Sequence, residues 1–356
     1  MKRIGIITYH QANNFGAVLQ CYALQEILKR LNFSVKVIDY RQPFTELIYN
    51  PIRWDIMKKG LTNPRLLAGY LFKVFPILYK RAQAYNSFRS RFLQCSRPVK
   101  SGREMPQCFD VYLIGSDQMW SLHPTNNIIE PVYFGEFTVP KGSSIQGYAI
   151  SSNIESLHTI GKKYLTNSVK RFERLSFREE TVRDEVCRMT GIHGEVVVDP
   201  TLLLNAEDWN HLITHNLIGE PYLLTYFLSN DTDNEAFRIK VSAFAKQNKL
   251  KVVDVFDIAY SPIAFLSAIK YASVVFAASF HATAFSIIMK KKFYAFRSSD
   301  GRDIRYINLL HNLGLDNRIV STVNISSLSL DDIDYADADL SLDALRQHSI
   351  QYLKTL

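Results

Sequence analysis

Short apolar strands that run straight into a polar turn and then a helix occur in two successive series along this chain, and that alternation limits its fold more than any other feature. An apolar stretch from Ile4 to Thr8 leads into Asn13-Asn14-Phe15-Gly16. Val18, Tyr22, Leu24, Ile27, Leu28 and Leu31 then recur at spacings of three and four, as expected of a helix with one buried side. Val35 to Asp39 reads as the next strand, which makes a βαβ opening and predicts parallel strands joined by a right-handed crossover. A buried strand from Val111 to Ile114 enters Gly115-Ser116-Asp117-Gln118-Met119-Trp120. A strand near Ile145 to Ile150, a helix through Tyr164 to Phe172, a short strand at Leu175-Ser176-Phe177 and the run Val196 to Val198, with its turn Asp199-Pro200-Thr201, complete the first series.

After a more polar connection from Asn205 to Gly219 the alternation restarts. Strands are expected at Tyr222 to Leu228, Lys251 to Phe256, Ser273 to Ala277 and Phe293 to Phe296, with helices at Glu235 to Ala245, Ile263 to Ile269 and through Ile287 and Met289. Arg297 to Arg305 reads as a polar loop, Ser321 to Asp339 as a loosely ordered connection, and Leu342 to Leu353 as a final helix. A length of 356 residues exceeds what one core usually organises. The expectation is therefore an α/β protein of two domains, residues 1–204 and 205–356.

Composition narrows the class. The chain is 47% hydrophobic and 12% aromatic, far from the make-up of a disordered protein. Cys21, Cys95, Cys108 and Cys187 never approach C-x-x-C spacing and read as reduced thiols in a cytosol. Tyr9-His10-Gln11 interrupts the apolar start before an export signal is complete, and no apolar run is long enough to span a bilayer, so a cytoplasmic location is expected. Lys and Arg number 42 against 34 Asp and Glu, a formal +8 that favours anionic ligands. From Pro51 to about Pro98 the pattern is helical, basic and aromatic. Helices packed over the sheet are one account of it; an element lying on the inner face of a membrane is the other, since aromatics interleave with Lys73, Lys80 and Arg81. Pro76 is expected to end or kink the helix before it.

His281 is the most informative single residue, because it falls where a strand ends and a helix begins. Backbone amides at a helix start form an anion site. The positive end of the macrodipole disfavours imidazolium and a bound phosphate or carboxylate favours it, so ligand binding could load a proton onto a general acid. The alternative is a histidine that only packs there. Arg178 follows a short strand and could grip a carboxylate or phosphate through a bidentate fork, against an ordinary ion pair with Glu179 or Glu180. Arg302 and Arg305 matter if their loop faces His281. Asn13, Asn14 and Gly16 occupy the first strand-to-helix turn, where short polar groups suit a ligand and where Asn14 could equally cap the helix. Asp117, followed by Gln118, could orient a sugar hydroxyl or cap its own turn.

Other chemistries find little support. The first turn lacks G-x-G-x-x-G, so a nicotinamide cofactor is not indicated. His211 and His215 are spaced as in a zinc helix, yet Leu212 stands where that motif needs glutamate. No G-x-S-x-G elbow accompanies Ser279 and His281. No cofactor and no metal are expected.

The segments GIITYHQANNFGAVLQCYALQEIL, FDVYLIGSDQMW, SFREE, VVVDPTLLL and SVVFAASFHATAFSIIMKKKFYAF, in that order, resemble the polysaccharide pyruvyl transferase family. The resemblance spans about residue 5 to about residue 296. It implies two Rossmann-like domains facing a central cleft, similar to the GT-B architecture of glycosyltransferases. It implies phosphoenolpyruvate as donor and a hydroxyl pair of a glycan or lipid-linked oligosaccharide as acceptor, with no nucleic-acid partner. The family's late-strand histidine maps onto His281 and its arginine in the S-x-R-E segment onto Arg178. Some relatives carry Arg-Leu-His where this chain has Ser279-Phe280-His281, so Ser279 replaces an expected anion-binding arginine and Arg302 or Arg305 is the candidate substitute. The resemblance thus leads to ketal formation by pyruvyl transfer in the second domain, with the acceptor held by the first. A nucleotide-sugar glycosyltransferase of the same architecture and a non-catalytic glycan- or membrane-binding protein are the competing readings, since fold alone does not separate them.

Overall fold

The computed structural model of the chain describes residues 1–60, 62–227, 234–298, 301, 303–323 and 325–356. They form two compact units, Met1–Val196 together with Leu356, and Val197–Thr355. The division leaves the Asp199-Pro200-Thr201 turn in the second unit.

The first unit is built on a parallel sheet in which β1 (Arg3–Ile7) lies between β2 (Ser34–Val37) and β3 (Val111–Ile114), followed outward from β3 by β4 (Ser144–Gly147) and β5 (Phe172–Arg174). A short parallel pair, β6 (Ser176–Phe177) and β7 (Glu195–Val196), stands beside it. Ile4, Ile6 and Ile7 and all of β3 are fully buried, as strands covered on both faces require. The Phe15–Arg30 helix starts where Asn14 Oδ1 accepts the Ala17 amide at 3.2 Å, and it ends on Lys29 and Arg30, which suit the negative end of the helix dipole. An aromatic core surrounds Trp120, which stacks on Phe134 with ring centroids 5.3 Å apart.

The basic, aromatic stretch forms helices Trp54–Gly60 and Pro64–Gly69, a π-helical turn Tyr70–Val74, and a long helix Phe75–Phe92. The widened turn lies immediately before Pro76. Proline supplies no amide to the carbonyl four residues back and crowds it, so the chain loosens there and restarts as a new helix.

The second unit repeats the plan with five parallel strands, which run across the sheet from Ile319–Val320 through Phe293–Phe296, Val274–Ala278 and Tyr222–Phe227 to Lys251–Asp254. Its strands are β8 (Tyr222–Phe227), β9 (Lys251–Asp254), β10 (Val274–Ala278), β11 (Phe293–Phe296) and β12 (Ile319–Val320). The restart is thus a second Rossmann-like unit. Several details differ from expectation. The expected Lys251-to-Phe256 strand stops at Asp254, where Asp254 caps a short helix Val255–Ile258, and the connection after Asn205 opens with a helix Ala206–Asn210. Arg305 is not in a loop: a helix runs from Ile304 to Asn312, whose buried Tyr306, Leu309 and Leu310 repeat at helical spacing. The last helix spans Ala336–Lys354, because Asp337 and Asp339 favour its first turn and buried Ala338 extends its inner side toward the N-terminus. The Tyr164-to-Phe172 stretch yields a helix only over Lys162–Val169, with Phe172 already in β5.

Candidate functional site

In both units the candidate residues gather at the carboxyl ends of parallel strands, the edge at which open α/β sheets present groups to ligands. In the second unit β10 ends at Ala278 and a helix begins at Phe280, placing His281 in its first turn. The helix is buried along its whole length and, apart from His281, Thr283 and Ser286, is apolar. Ser279 occupies the N-cap position in extended backbone but makes no side-chain cap bond, while its carbonyl accepts the Thr283 amide at 3.1 Å and the Thr283 hydroxyl at 3.0 Å.

The His281 imidazole is largely buried, and its Nε2 has no hydrogen-bond partner among the described residues. Asp199 Oδ2 lies 3.8 Å from that nitrogen, and Asp199 is completely buried. The other carboxylate oxygen accepts the Thr201 amide at 3.0 Å and hydroxyl at 2.7 Å, which fixes the carboxylate as the cap of the short Pro200–Leu203 helix. A carboxylate locked on one side and facing an unbonded imidazole on the other is a constellation that sequence reading missed. Asp-Pro-Thr reads as a turn, and the turn is real; what sequence spacing could not convey is that the turn packs opposite residue 281.

Arg305 sits half-buried in the first turn of the Ile304–Asn312 helix, and Arg302 lies outside the described residues. His211 and His215 are both exposed, and among the described residues no group of His, Cys, Asp and Glu is arranged to hold a metal ion.

In the first unit the carboxyl edge carries two linked clusters. Pairing continues beyond the strand ends through bridges of Asp117 with Ile150 and Ile150 with Phe177, which draws residues 115–118, 149–152 and 178–179 together. Arg178 has a side chain only 1% exposed; its Nε donates to Glu179 Oε1 at 2.9 Å and its Nη2 to Ser151 Oγ at 2.9 Å. Ser151 Oγ donates in turn to the same Glu179 oxygen at 2.9 Å. The ordinary ion pair is therefore present, and the guanidinium is engaged by protein groups rather than open to a ligand. Asp117 stands 4.0 Å from Arg178 Nη1, caps its own turn by accepting the Gln118 amide at 2.8 Å, and holds φ at +99°, a region costly for any residue but glycine. Asp117 and Gln118 both remain partly exposed.

The second cluster lies after β1. Asn14 performs its capping role, Gly16 is buried in the first helical turn, and Asn13 is held by Arg89, whose Nη2 donates to Asn13 Oδ1 at 3.0 Å. His10 is fully buried with Nε2 3.0 Å from Asp39 Oδ1, and Arg41 donates to the other Asp39 oxygen at 2.7 Å. Burial raises the Asp39 carboxyl, but the hydrogen bonds from His10 and Arg41 overcome it and hold the group well below the usual carboxylate range. Burial also lowers the Arg89 guanidinium, to about 10, which leaves it charged at neutral pH. Neither Arg89 nor the His10–Asp39 pair carried a sequence signal, since the partners come from elements far apart in the chain. Tyr9, packed edge-on against Tyr133, ends in a buried hydroxyl without a hydrogen-bond partner among the described residues.

No curated protein matches the chain in sequence. Among solved structures it is similar to the UDP-GlcNAc 2-epimerase of Methanocaldococcus jannaschii, with 10% identity, 95% of each chain covered and a TM-score of 0.51. It is also similar to the UDP-N-acetylglucosamine 2-epimerase of Rickettsia bellii, with 9% identity over 100% of this chain and 98% of that one, at a TM-score of 0.51. The glycosyltransferase SsfS6 of Streptomyces sp. SF2575 aligns over 100% of this chain and 99% of its own at 12% identity, with a TM-score of 0.43. At such identities the epimerase likeness speaks for the fold alone, a GT-B-like class with one Rossmann-like unit in each half. Sequence pattern goes further: the model of the polysaccharide pyruvyl transferase family matches residues 14–300, from the first strand-to-helix turn to beyond β11, and so the chain belongs to that family.

Proposed function

We propose that this transferase of polysaccharide biosynthesis moves the pyruvyl group of phosphoenolpyruvate onto two hydroxyls of one sugar, forming a pyruvate ketal and releasing phosphate. The observation that carries the proposal is the His281–Asp199 pair at the carboxyl end of β10, a buried imidazole with an unbonded Nε2 and a fixed carboxylate 3.8 Å away. The reaction needs a proton for the methylene carbon of the enol, a cradle for two anionic groups, and exclusion of water.

His281 as imidazolium would give its proton to that methylene carbon, and the adjacent carbon would become an oxocarbenium centre. A sugar hydroxyl adds there and returns a proton to the imidazole. The second hydroxyl then attacks the same carbon as the C–O bond to phosphate breaks; its proton leaves with the phosphate as hydrogen phosphate, and the ketal closes. Asp199 is a positioning residue, the counter-ion of the imidazolium. Ser279, the backbone at the start of the Phe280–Ile288 helix, and Arg305 supply the donor cradle, a role for which Arg302 also stands as a candidate. Asn13, Asn14, Gly16, Asp117 and Gln118 form the acceptor side, on the sheet edge of the first unit. Arg178 would then hold Asp117 and Glu179 in place, because a substrate anion could reach its guanidinium only by displacing Glu179.

The test is incubation with phosphoenolpyruvate and a lipid-linked oligosaccharide, following phosphate release and the mass of the glycan. Phosphate release together with the mass gain of a ketal is expected, and both should fall by roughly 10²- to 10⁴-fold in His281→Ala. A protein that binds a sugar nucleotide and ignores phosphoenolpyruvate, or a His281→Ala variant with full phosphate release, would overturn the assignment.

A further inference from the structure

The stretch between Pro51 and Arg81 is only partly a packing element. Trp54 is 63% exposed, Phe72 82% and Ile77 51%, and Ile52, Leu66, Leu71, Val74 and Tyr79 are also exposed. Single exposed apolar side chains are ordinary on a protein surface, whereas eight of them between residues 52 and 79, where Tyr70 is the one buried residue among those described, are more than scattered exposure accounts for. The segment is nonetheless well anchored. The Tyr70 side chain is buried and its hydroxyl donates to the Pro51 carbonyl and accepts the Arg53 amide, which ties the π-helical turn to the residues before the first helix. The second half of the Phe75–Phe92 helix is rooted in the core of the first unit through Ala82, Tyr85, Phe88 and Arg89, while its first turns carry Ile77 and Tyr79 outward.

Charge identifies what such a surface meets. Residues 51–81 hold seven Lys and Arg (positions 53, 58, 59, 65, 73, 80 and 81) against one acidic residue, Asp55. A net +6 of the chain's formal +8 therefore lies in these 31 residues; Arg81 is turned inward, its guanidinium over the Phe15 and Tyr85 rings, and the other six cations against Asp55 leave the stretch at +5. A partner surface that offers both anionic charge and an apolar layer beneath it matches this combination. Aromatic and aliphatic side chains enter the headgroup boundary while lysines and arginines reach the lipid phosphates. A protein partner would meet the apolar groups equally well, but it would not explain why most of the net charge is collected beside them.

We infer that the helical segment from Pro51 to Arg81 docks the enzyme on an anionic membrane surface. The inference goes beyond the ketal chemistry, and its test needs neither donor nor sugar. The full-length protein is sedimented with vesicles of phosphatidylcholine alone and with vesicles of equal parts phosphatidylcholine and phosphatidylglycerol, at low and high salt. Co-sedimentation is expected only with the anionic vesicles, weakening as salt screens the charges. Lys73→Gln with Lys80→Gln should lower vesicle affinity roughly 25-fold, about fivefold per charge. Phe72→Glu with Ile77→Glu should abolish binding, and because both side chains are exposed the circular dichroism spectrum should be unchanged. Failure to bind anionic vesicles at low salt, unaltered binding by the Phe72→Glu, Ile77→Glu variant, or a concentration-dependent dimer that this variant dissolves would each overturn it.

Discussion

A buried imidazole nitrogen without a hydrogen bond is costly to keep, and a protein that keeps one usually has a use for it. His281 is such a group, and the Asp199 carboxylate beside it is fixed by Thr201 rather than by the histidine. His281→Ala should lower kcat for phosphate release by roughly 10²- to 10⁴-fold, the usual worth of a positioned acid. Asp199→Asn keeps the shape and removes the charge. We expect a smaller loss, confined to kcat, and a displaced pH profile, which separates a positioning role from one in substrate binding; thermal melting followed alongside registers any weakening of the Pro200–Leu203 cap. Asp39 makes a prediction of the opposite kind, about stability alone. Its folded carboxyl lies below the unfolded value near 4, so its contribution is complete above that pH and drains away as acid carries the solution down through the folded value. Asp39→Asn should remove on the order of 2 kcal/mol at neutral pH and flatten the acid limb of a urea-midpoint curve below about pH 4. The position of His281 and the capping role of Asn14 were legible in sequence because a strand end and a helix start are local features. Asp199, Arg89 and the His10–Asp39 pair were not, because each is defined by a partner brought near only by folding.

At the level of elements, the strands most faithfully read were β3 and β11, continuous apolar runs that end abruptly at a polar group. Boundaries failed where the pattern fades by degrees, as at the start of the last helix, whose Asp-rich first turn reads as loop until the helix dipole is considered. The junction after β3 shows how little latitude such a strand end has. Gly115 holds φ at +121°, and a Cβ there would stand 2.1 Å from the Tyr148 carbonyl oxygen, well inside any allowed contact. Gly115→Ala should therefore cost about 3 kcal/mol or more, since both backbone conformation and main-chain spacing of β3 against the segment after β4 must change. Urea denaturation measures the loss, and Gly142→Ala is the control: that glycine also has positive φ, at +86°, yet nothing lies within 4 Å of its would-be Cβ. It should cost only the conformational penalty of about 1 kcal/mol.

At the scale of the molecule, two Rossmann-like units divide at Val196 and Val197, and the second is closed by its own last helix. Ser349 Oγ accepts the Val198 amide at 3.0 Å, and Arg346 Nε donates to the Leu202 carbonyl at 2.5 Å, so residues about 150 positions apart bracket the turn that bears Asp199. Ser349 is completely buried, which puts its bond to Val198 beyond the reach of competing water. The final helix thus holds the segment whose Asp199 carboxylate lies 3.8 Å from His281, and under the proposed chemistry it would act through that segment. Ser349→Ala, which removes a buried hydroxyl of small volume, should destabilise the second unit by about 1–3 kcal/mol. If the helix positions Asp199, kcat should fall along with stability and the pH profile should move in the same direction as in Asp199→Asn, with little change in KM. A variant that lost stability while keeping the wild-type pH profile would show that the helix only closes the core. Arg346→Ala, acting on the far side of the same turn through the Leu202 and Leu204 carbonyls, should reproduce the kinetic change and combine with Ser349→Ala less than additively, because both substitutions release one segment.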